Sequence, residues 1–310
     1  MQVYTETDYD ESEAGNCSTL IFSEDTIMKI QTAIDRIKAY HRGISRDGNP
    51  IDPAKTRDKV LYGDTGKELT GIVTCIWAST EVIREARKLG CNLIMPHEAL
   101  FWNHGDHQDW LQDNRTYQAK AKLLNEAGIT VWRNHDHMHT GIPYNGGYVD
   151  GIFYGVMKEL GWEDRLTGDI SNPKDFRFEG IKAQDLAEQL AKKMGLNGTR
   201  IIGDPDTRVR KLRIVGHVDG RNDNNVLKAF EEDDVDCAIT MELTDYTFAE
   251  YIRDSAMLGI PKAIIPIGHF NIEEPGMRYA ATWVNEAIQD DTVPVHFVQA
   301  GDMYRFINLR

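Results

Sequence analysis

Gly71-Ile-Val-Thr-Cys-Ile-Trp77 is β-branched and apolar without alternation, the pattern of a strand buried on both faces. Behind it Ser79 can cap a helix that turns Val82, Ile83, Ala86 and Leu89 to one side, and Gly90 can end that helix. Asn92-Leu-Ile-Met95 then reads as a second buried strand. Two strands joined through a helix pair in parallel, so this stretch predicts an α/β fold. The pattern returns downstream as a strand at Leu212–Val215, a helix around Asn225–Glu232 and a strand at Cys237–Thr240.

Polar residues collect just past the expected strand ends. One strand leads to His97-Glu98, the strand at 129–132 leads to His135, and the strand at 263–267 leads to His269. In open parallel sheets that edge binds ligands, because its loops carry no packing duty and helix N-termini point toward it. Matching 71 with about 211, 97 with about 242 and 135 with 269 gives a nearly constant offset. The expectation is two similar α/β lobes related by internal duplication, with a cleft between them at the strand C-terminal ends. Residues 1–22 read as an acidic flexible tail, 23–165 as the first lobe and 166–310 as the second, with residues near 271–310 packing back on the first. Within the first lobe, Ser23 caps a helix bearing Ile27, Ile30, Ile34 and Ile37, and Arg42–Lys59 is a polar loop. A linker over about 165–210 carries one helix through Ile181, Leu186 and Leu190.

Composition bounds the function. The 310 residues are 41% hydrophobic and 27% charged, values of a globular chain with a substantial core. A net charge of -14, with seven acids before the first base at Lys29, argues against nucleic-acid binding. No apolar run is long enough to span a membrane, and the N-terminus lacks a basic region followed by an apolar one, so the expected setting is the cytoplasm. Cys17, Cys75, Cys91 and Cys237 lie far apart, which suggests neither a disulfide framework nor a thiolate zinc site. Cys75 and Cys91 read as packing residues.

The histidines carry the chemistry. Six of the ten (His97, His104, His107, His135, His137 and His139) fall within one short window. Imidazole with carboxylate suits zinc, manganese, iron, cobalt or nickel. His135 and His139 are spaced i, i+4, as are His269 and Glu273, so each pair can chelate from one helical face. His97 and Glu98 alternate across a strand, but at a strand end they can serve two different ions. His104, His107 and His137 read as solvated loop residues, with His104 and His107 also able to reach the cleft. His217 is placed equally well in the cleft or outside it, and His41 and His296 read as structural. Phosphate loops of the GxxxxGK[ST] type, GxSxG elbows and GxGxxG turns are absent from the sequence. Asn145-Gly-Gly147 and Gly216–Gly220 read as turns.

These residues resemble the Nif-three-like family, the YbgI-type dinuclear metal proteins that include the GTP cyclohydrolase 1 type 2 homologues. Tyr62-Gly-Asp64 is similar to the family's GD segment. Glu81-Val-Ile-Arg-Glu-Ala86 through Asn92-Leu-Ile-Met-Pro-His97 is similar to its first helix and His-His-Pro motif, and Gly268-His269-Phe-Asn-Ile-Glu273-Glu-Pro275 matches its GHxxxE motif. Two departures stand out. Glu98 replaces a second histidine, and His135-Asp-His-Met-His139 replaces HTNLD, so His139 stands for an aspartate.

The resemblance implies two divalent transition-metal ions held by His97, Glu98, His139, His269 and Glu273, in a homo-oligomer built as a hexameric ring of dimers. The function expected is a metal-dependent hydrolase acting on a small cyclic amide, amidine or nucleotide-like substrate, with Glu242 or His135 moving the proton. The alternative is a metal-binding regulatory or scaffold protein without turnover.

Overall fold

The computed structural model describes residues 27–45 and 47–307; the acidic stretch 1–22 and the Ser23 cap lie outside them. The chain runs α1 (Ile30–Tyr40), β1 (Val60–Tyr62), β2 (Ile72–Cys75), α2 (Thr80–Lys88), β3 (Leu93–Pro96), α3 (Arg115–Ala127), β4 (Thr130–Trp132), α4 (Asp136–Thr140), β5 (Ile142–Tyr144), β6 (Gly147–Val149) and α5 (Gly151–Leu160). It continues through β7 (Asp175–Lys182), α6 (Ala183–Met194), β8 (Ile202–Gly203), β9 (Arg208–Ile214), α7 (Asp223–Glu232), β10 (Cys237–Thr240), α8 (Phe248–Met257), β11 (Ala263–Pro266), α9 (His269–Ala280), α10 (Val284–Ile288) and β12 (Val295–Phe297).

The fold is mixed α/β with two five-stranded sheets, ordered β1-β4-β3-β2-β12 and β7-β9-β10-β11-β8. In the first, β4, β3, β2 and β12 are parallel and β1 is antiparallel at the edge. In the second, β9, β10 and β11 are parallel between the antiparallel edges β7 and β8. Every residue of β2, β3, β10 and β11 is buried, as unalternating apolar runs require when both faces are covered. The hairpin β5–β6 turns at Asn145-Gly146, and β12 returns the C-terminal part of the chain to the first sheet beside β2.

The first helix-forming unit follows its sequence except at Leu89, which caps α2 at 38% exposure instead of turning inward with Val82, Ile83 and Ala86. Ser79 Oγ accepts from the Val82 amide at the start of α2, and Gly128 ends α3 in the left-handed region. Two expectations need correction. α1 begins at Ile30, because Lys29 is still extended and bridges Glu68, so Ile27 is left 60% exposed and the buried stripe is Ile30, Ala33, Ile34 and Ile37. The stretch 165–210 carries the one expected α-helix, α6 with Leu186 and Leu190, but it is more than a linker: Ile181 belongs to the strand β7, and both elements complete the second sheet's layer. Cys75, Cys91 and Cys237 are buried free thiols, consistent with packing roles. Among the described residues no helix is long and apolar enough to cross a membrane.

One close crossing sets the position of α9. A Cβ at Gly155 of α5 would lie 2.8 Å from Gly276 Cα and 2.8 Å from Tyr279 Cβ, and a Cβ at Gly276 would lie 2.7 Å from Ile152 Cα. The two helices therefore touch through backbone. Gly155→Ala is expected to force them apart and to cost about 1–3 kcal/mol in spite of alanine's better helix propensity. Urea denaturation checks this; an unchanged midpoint would mean that α9 shifts freely.

Candidate metal centre

The loops leaving the parallel strands converge on one cavity of about 1070 Å³, whose walls include His135, His139, His217, Glu242, His269 and Glu273. His97 and Glu98 follow β3, His135 follows β4, His217 follows β9, Glu242 follows β10, and His269 follows β11. α4 makes a single helical turn behind His135, which puts His135 and His139 on one side. α9 does the same for His269 and Glu273.

Four imidazoles share one arrangement. His97 Nδ1 lies 3.1 Å from the Asn134 carbonyl oxygen, which can only accept, so Nδ1 carries the proton and Nε2 keeps its lone pair. His139 Nδ1 is 3.0 Å from Asp150 Oδ2, His135 Nδ1 is 2.9 Å from Asp136 Oδ1, and His269 Nδ1 is 2.7 Å from Glu242 Oε1. Each Nδ1 therefore donates to an oxygen behind it. An outer oxygen that fixes the tautomer in this way is the usual support of a metal-ligating histidine.

The Nε2 atoms meet carboxylates. His269 Nε2 lies 3.0 Å from Glu273 Oε2 and 3.5 Å from Glu98 Oε1, and His97 Nε2 lies 3.6 Å from Glu273 Oε2. Glu98, Glu273 and His97 are nearly inaccessible, at 4%, 3% and 0% exposure. His97 Nε2, Glu98 Oε1 and Glu273 Oε2 are nevertheless buried without a hydrogen-bond partner. Three donor atoms orphaned toward one point are costly unless something binds between them, and a cation fits this donor set. Among the described residues, groups able to hold one ion include His97–His135–His139, His97–Glu98–Glu273, Glu98–His104–His135 and His217–Glu242–His269. Burial opposes a charge on His269, but Glu242 and Glu273 outweigh it and raise its pKa to about 10. The carboxylates thus draw positive charge to this spot even as a proton.

A buried scaffold surrounds the donors. Arg133, fully buried, donates from Nη2 to Glu98 Oε2 at 2.8 Å, from Nε to the His97 carbonyl at 3.0 Å and from Nη1 to Asp106 Oδ2 at 2.9 Å. Burial works against ionisation of Glu98, yet His104 and Arg133 hold its pKa down at about 2. Asp58 accepts the backbone amides of His135, Asp136 and His137 and also the His137 ring, so it caps α4 from across the chain. Asp150 caps α5 through the Ile152 and Phe153 amides with one oxygen and takes His139 with the other.

Beneath this layer, His41 Nδ1 faces the Gly141 carbonyl at 3.3 Å, and its Nε2 takes Asn134 Nδ2 at 3.1 Å. Burial, helped by nearby His137, lowers the His41 pKa from 6.5 to about 3. The unfolded chain then takes up a proton that the folded chain refuses, so stability is complete above pH 6.5 and is lost as pH falls toward 3. At pH near 5 this one group is expected to remove about 2 kcal/mol. A His41→Gln protein compared by urea denaturation near pH 7.5 and pH 5 should show a flatter dependence than the parent. An equally steep one would move the effect to other groups.

The structure brings His97, Glu98, His135, His139, His269 and Glu273 together, with Glu242 directly behind His269. His217 also reaches the cavity, its Nδ1 2.6 Å from Glu242 Oε2. His104 lines the cavity and lies 3.6 Å from Glu98 Oε2. His107 instead stays exposed in its loop. His137 is not solvated as expected, because Asp58 engages its ring and leaves the side chain 13% exposed. His41 is buried, and His296 lies on β12. Reading the sequence missed Asp58, Arg133 and Asp150. Asp150 had a local signal, an aspartate just ahead of an apolar helical run, whereas Asp58 and Arg133 act on residues distant in the chain.

The chain was compared with known proteins. The family model Duf34/NIF3 (NGG1p interacting factor 3) matches residues 50–302. A GTP cyclohydrolase 1 type 2 homolog of Clostridium perfringens is 23% identical over 269 residues, 85% of this chain and 97% of that protein. Among solved structures, a Staphylococcus aureus hypothetical protein superposes with a TM-score of 0.64 at 15% identity, over 90% of this chain and 99% of that one. A Bacillus cereus protein related to NIF3 gives 0.63 at 13% identity, over 91% and 100%.

Proposed function

The chain belongs to the Duf34/NIF3 family, and from that premise and the donor geometry we propose that it is a dinuclear metal-dependent hydrolase acting on a small C–N bonded substrate, a cyclic amide, an amidine or a nucleotide-like compound. The observation that carries the reading is the set of orphaned inward atoms, His97 Nε2, Glu98 Oε1 and Glu273 Oε2, set among imidazoles whose outer nitrogens are already engaged. His97, Glu98, His139, His269 and Glu273 would hold two divalent ions. Bound there, the ions would supply an acidified water and polarise the bond to be cleaved.

The protein's own groups do the rest. Glu242 orients His269 and links it to His217 at the cavity surface, a placement suited to carrying a proton between the buried donors and solvent. His135, the other proton-carrying candidate, turns Nε2 toward Glu98 Oε1 at 3.8 Å and would serve as a sixth ligand if an ion took that nitrogen. Trp77, Trp102, Phe153 and Phe270 give the cavity apolar walls for a ring-shaped substrate. The same central order, β4-β3-β2 and β11-β10-β9, supports an internal duplication with lobes over 23–165 and 166–310, the stretch near 271–310 packing back on the first through β12. Work in the cytoplasm, expected from the sequence's lack of a membrane-spanning apolar run, and assembly as a homo-oligomer, implied by the family resemblance, complete the reading.

The test is turnover of a panel of cyclic amides, amidines and nucleotides by protein loaded with zinc, manganese, iron, cobalt or nickel. Metal-dependent turnover that drops roughly 10² to 10⁴-fold in Glu242→Gln is expected. Metal-loaded protein inert toward the whole panel would favour the regulatory or scaffold alternative. Full turnover in Glu242→Gln would remove that residue from proton transfer.

A further inference from the structure

We propose that the two ion positions are chemically unlike: an imidazole position formed by His97, His135 and His139, and a carboxylate position formed by Glu98, Glu273 and His269, with the first filled before the second. This rests on the metal reading above and adds which ion each position takes.

The donors differ in kind across the site, with His97 near both kinds, since its ligand atom also lies within 4.8 Å of those of Glu98 and Glu273. The ligand atoms of His97, His135 and His139 lie within 4.8 Å of one another. The His97 and His135 rings stack at 4.5 Å, and the His139 ring stands edge-on to them at 5.0 and 5.1 Å. Asp136 and Asp150 are turned to the outer nitrogens of His135 and His139, so the inward donors of this group are three imidazole nitrogens. On the other side, Glu98 Oε1 and Glu273 Oε2 lie 3.5 and 3.0 Å from His269 Nε2, a group of two oxygens and one nitrogen. Glu273 Oε2 is also 3.6 Å from His97 Nε2, which sets it between the two groups.

Ligand chemistry then separates the ions. Three imidazoles suit zinc, iron, cobalt or nickel, while a carboxylate-rich set suits manganese and other hard ions. Arg133 adds a second asymmetry. Its guanidinium takes Glu98 Oε2 at 2.8 Å and leaves a single oxygen, Oε1, for an ion. The same buried positive charge offsets part of the negative charge that would draw an ion to that side, so the carboxylate position attracts an ion less than two unpaired carboxylates would, and the preference of zinc for imidazole nitrogen sets the order of filling. Excess zinc enters both positions, because zinc outbinds manganese at any given N/O site. The difference therefore shows at one equivalent of zinc.

Full-length protein stripped of metal is titrated calorimetrically with Zn²⁺, and protein carrying one equivalent of Zn²⁺ is then titrated with Mn²⁺, with bound manganese counted by electron paramagnetic resonance. Two zinc steps separated by at least about tenfold are expected, and one Mn²⁺ per chain should join the single zinc without releasing it. His139→Ala should weaken the first zinc step by at least about 100-fold, more than the loss of an outer hydrogen-bond partner costs, and leave the manganese step nearly unchanged, and Glu98→Gln should do the reverse. Circular dichroism establishes that both variants are folded. Two zincs bound in one step of equal affinity, displacement of zinc by manganese, or equal weakening of both steps by each variant would overturn the proposal while leaving two ions in place. Failure to take up either ion would overturn it together with the metal reading.

Discussion

Glu273→Gln protein is expected to lose ion binding by at least about 100-fold, more than the loss of an outer hydrogen-bond partner costs. Glu273 is 3% exposed, its Oε2 has no hydrogen-bond partner, and it faces Nε2 of both His97 and His269. Glutamine keeps the shape but removes the charge that would lie between the two proposed positions. Competition against a chromophoric chelator reads the loss directly, since it reports affinity without any need for a substrate. The fold should survive, because Glu242 still pairs with His269 when Glu273 loses its charge, so no buried charge is left without a partner. Affinity within a few-fold of the parent would mean that Glu273 is a structural acid and that the ions sit elsewhere.

Arg133→Met is expected to produce the largest loss of stability. The guanidinium is fully buried and holds Glu98, Asp106 and two backbone carbonyls at once. Removing it strands Glu98 in the interior, and breaking a buried pair from one side costs about 3–5 kcal/mol. Urea denaturation of metal-free protein measures the cost. Adding Glu98→Gln to the same protein should recover part of it, since the stranded charge is then gone. Additive losses in the double variant would show that Arg133 matters through packing and its carbonyl contacts alone.

Legibility in the sequence followed the range of the interactions. β2, α2 and β3 were readable to within a residue or two, because buried parallel strands give unmixed apolar runs and a serine cap is a local device. β7 was missed, although Phe176 and Phe178 alternate with exposed Arg177 and Glu179 along it. That period of two marks an edge strand with one covered face, and it was overshadowed by the helical spacing that follows. The start of α1 was misplaced because Lys29 is held extended by Glu68, a pairing with no local trace.

The same distinction runs through the site. His97-Glu98, His135 with His139, and His269 with Glu273 stood out through strand ends and i, i+4 spacing, and the structure brings all six together. Asp58 and Arg133 belong to the scaffold. Asp58 caps a helix that starts far along the chain, and Arg133 pairs with Glu98 across adjacent strand ends, so their roles exist only once the first sheet has formed. His137 shows the converse error, since its loop position suggested solvent until Asp58 closed over it.

The most direct measurement is metal content by plasma mass spectrometry on protein purified without added metal. About two transition-metal ions per chain are expected, consistent with two positions sharing Glu273. Protein that arrives empty, and that also refuses zinc, manganese, iron, cobalt and nickel when each is supplied, would contradict the dinuclear site.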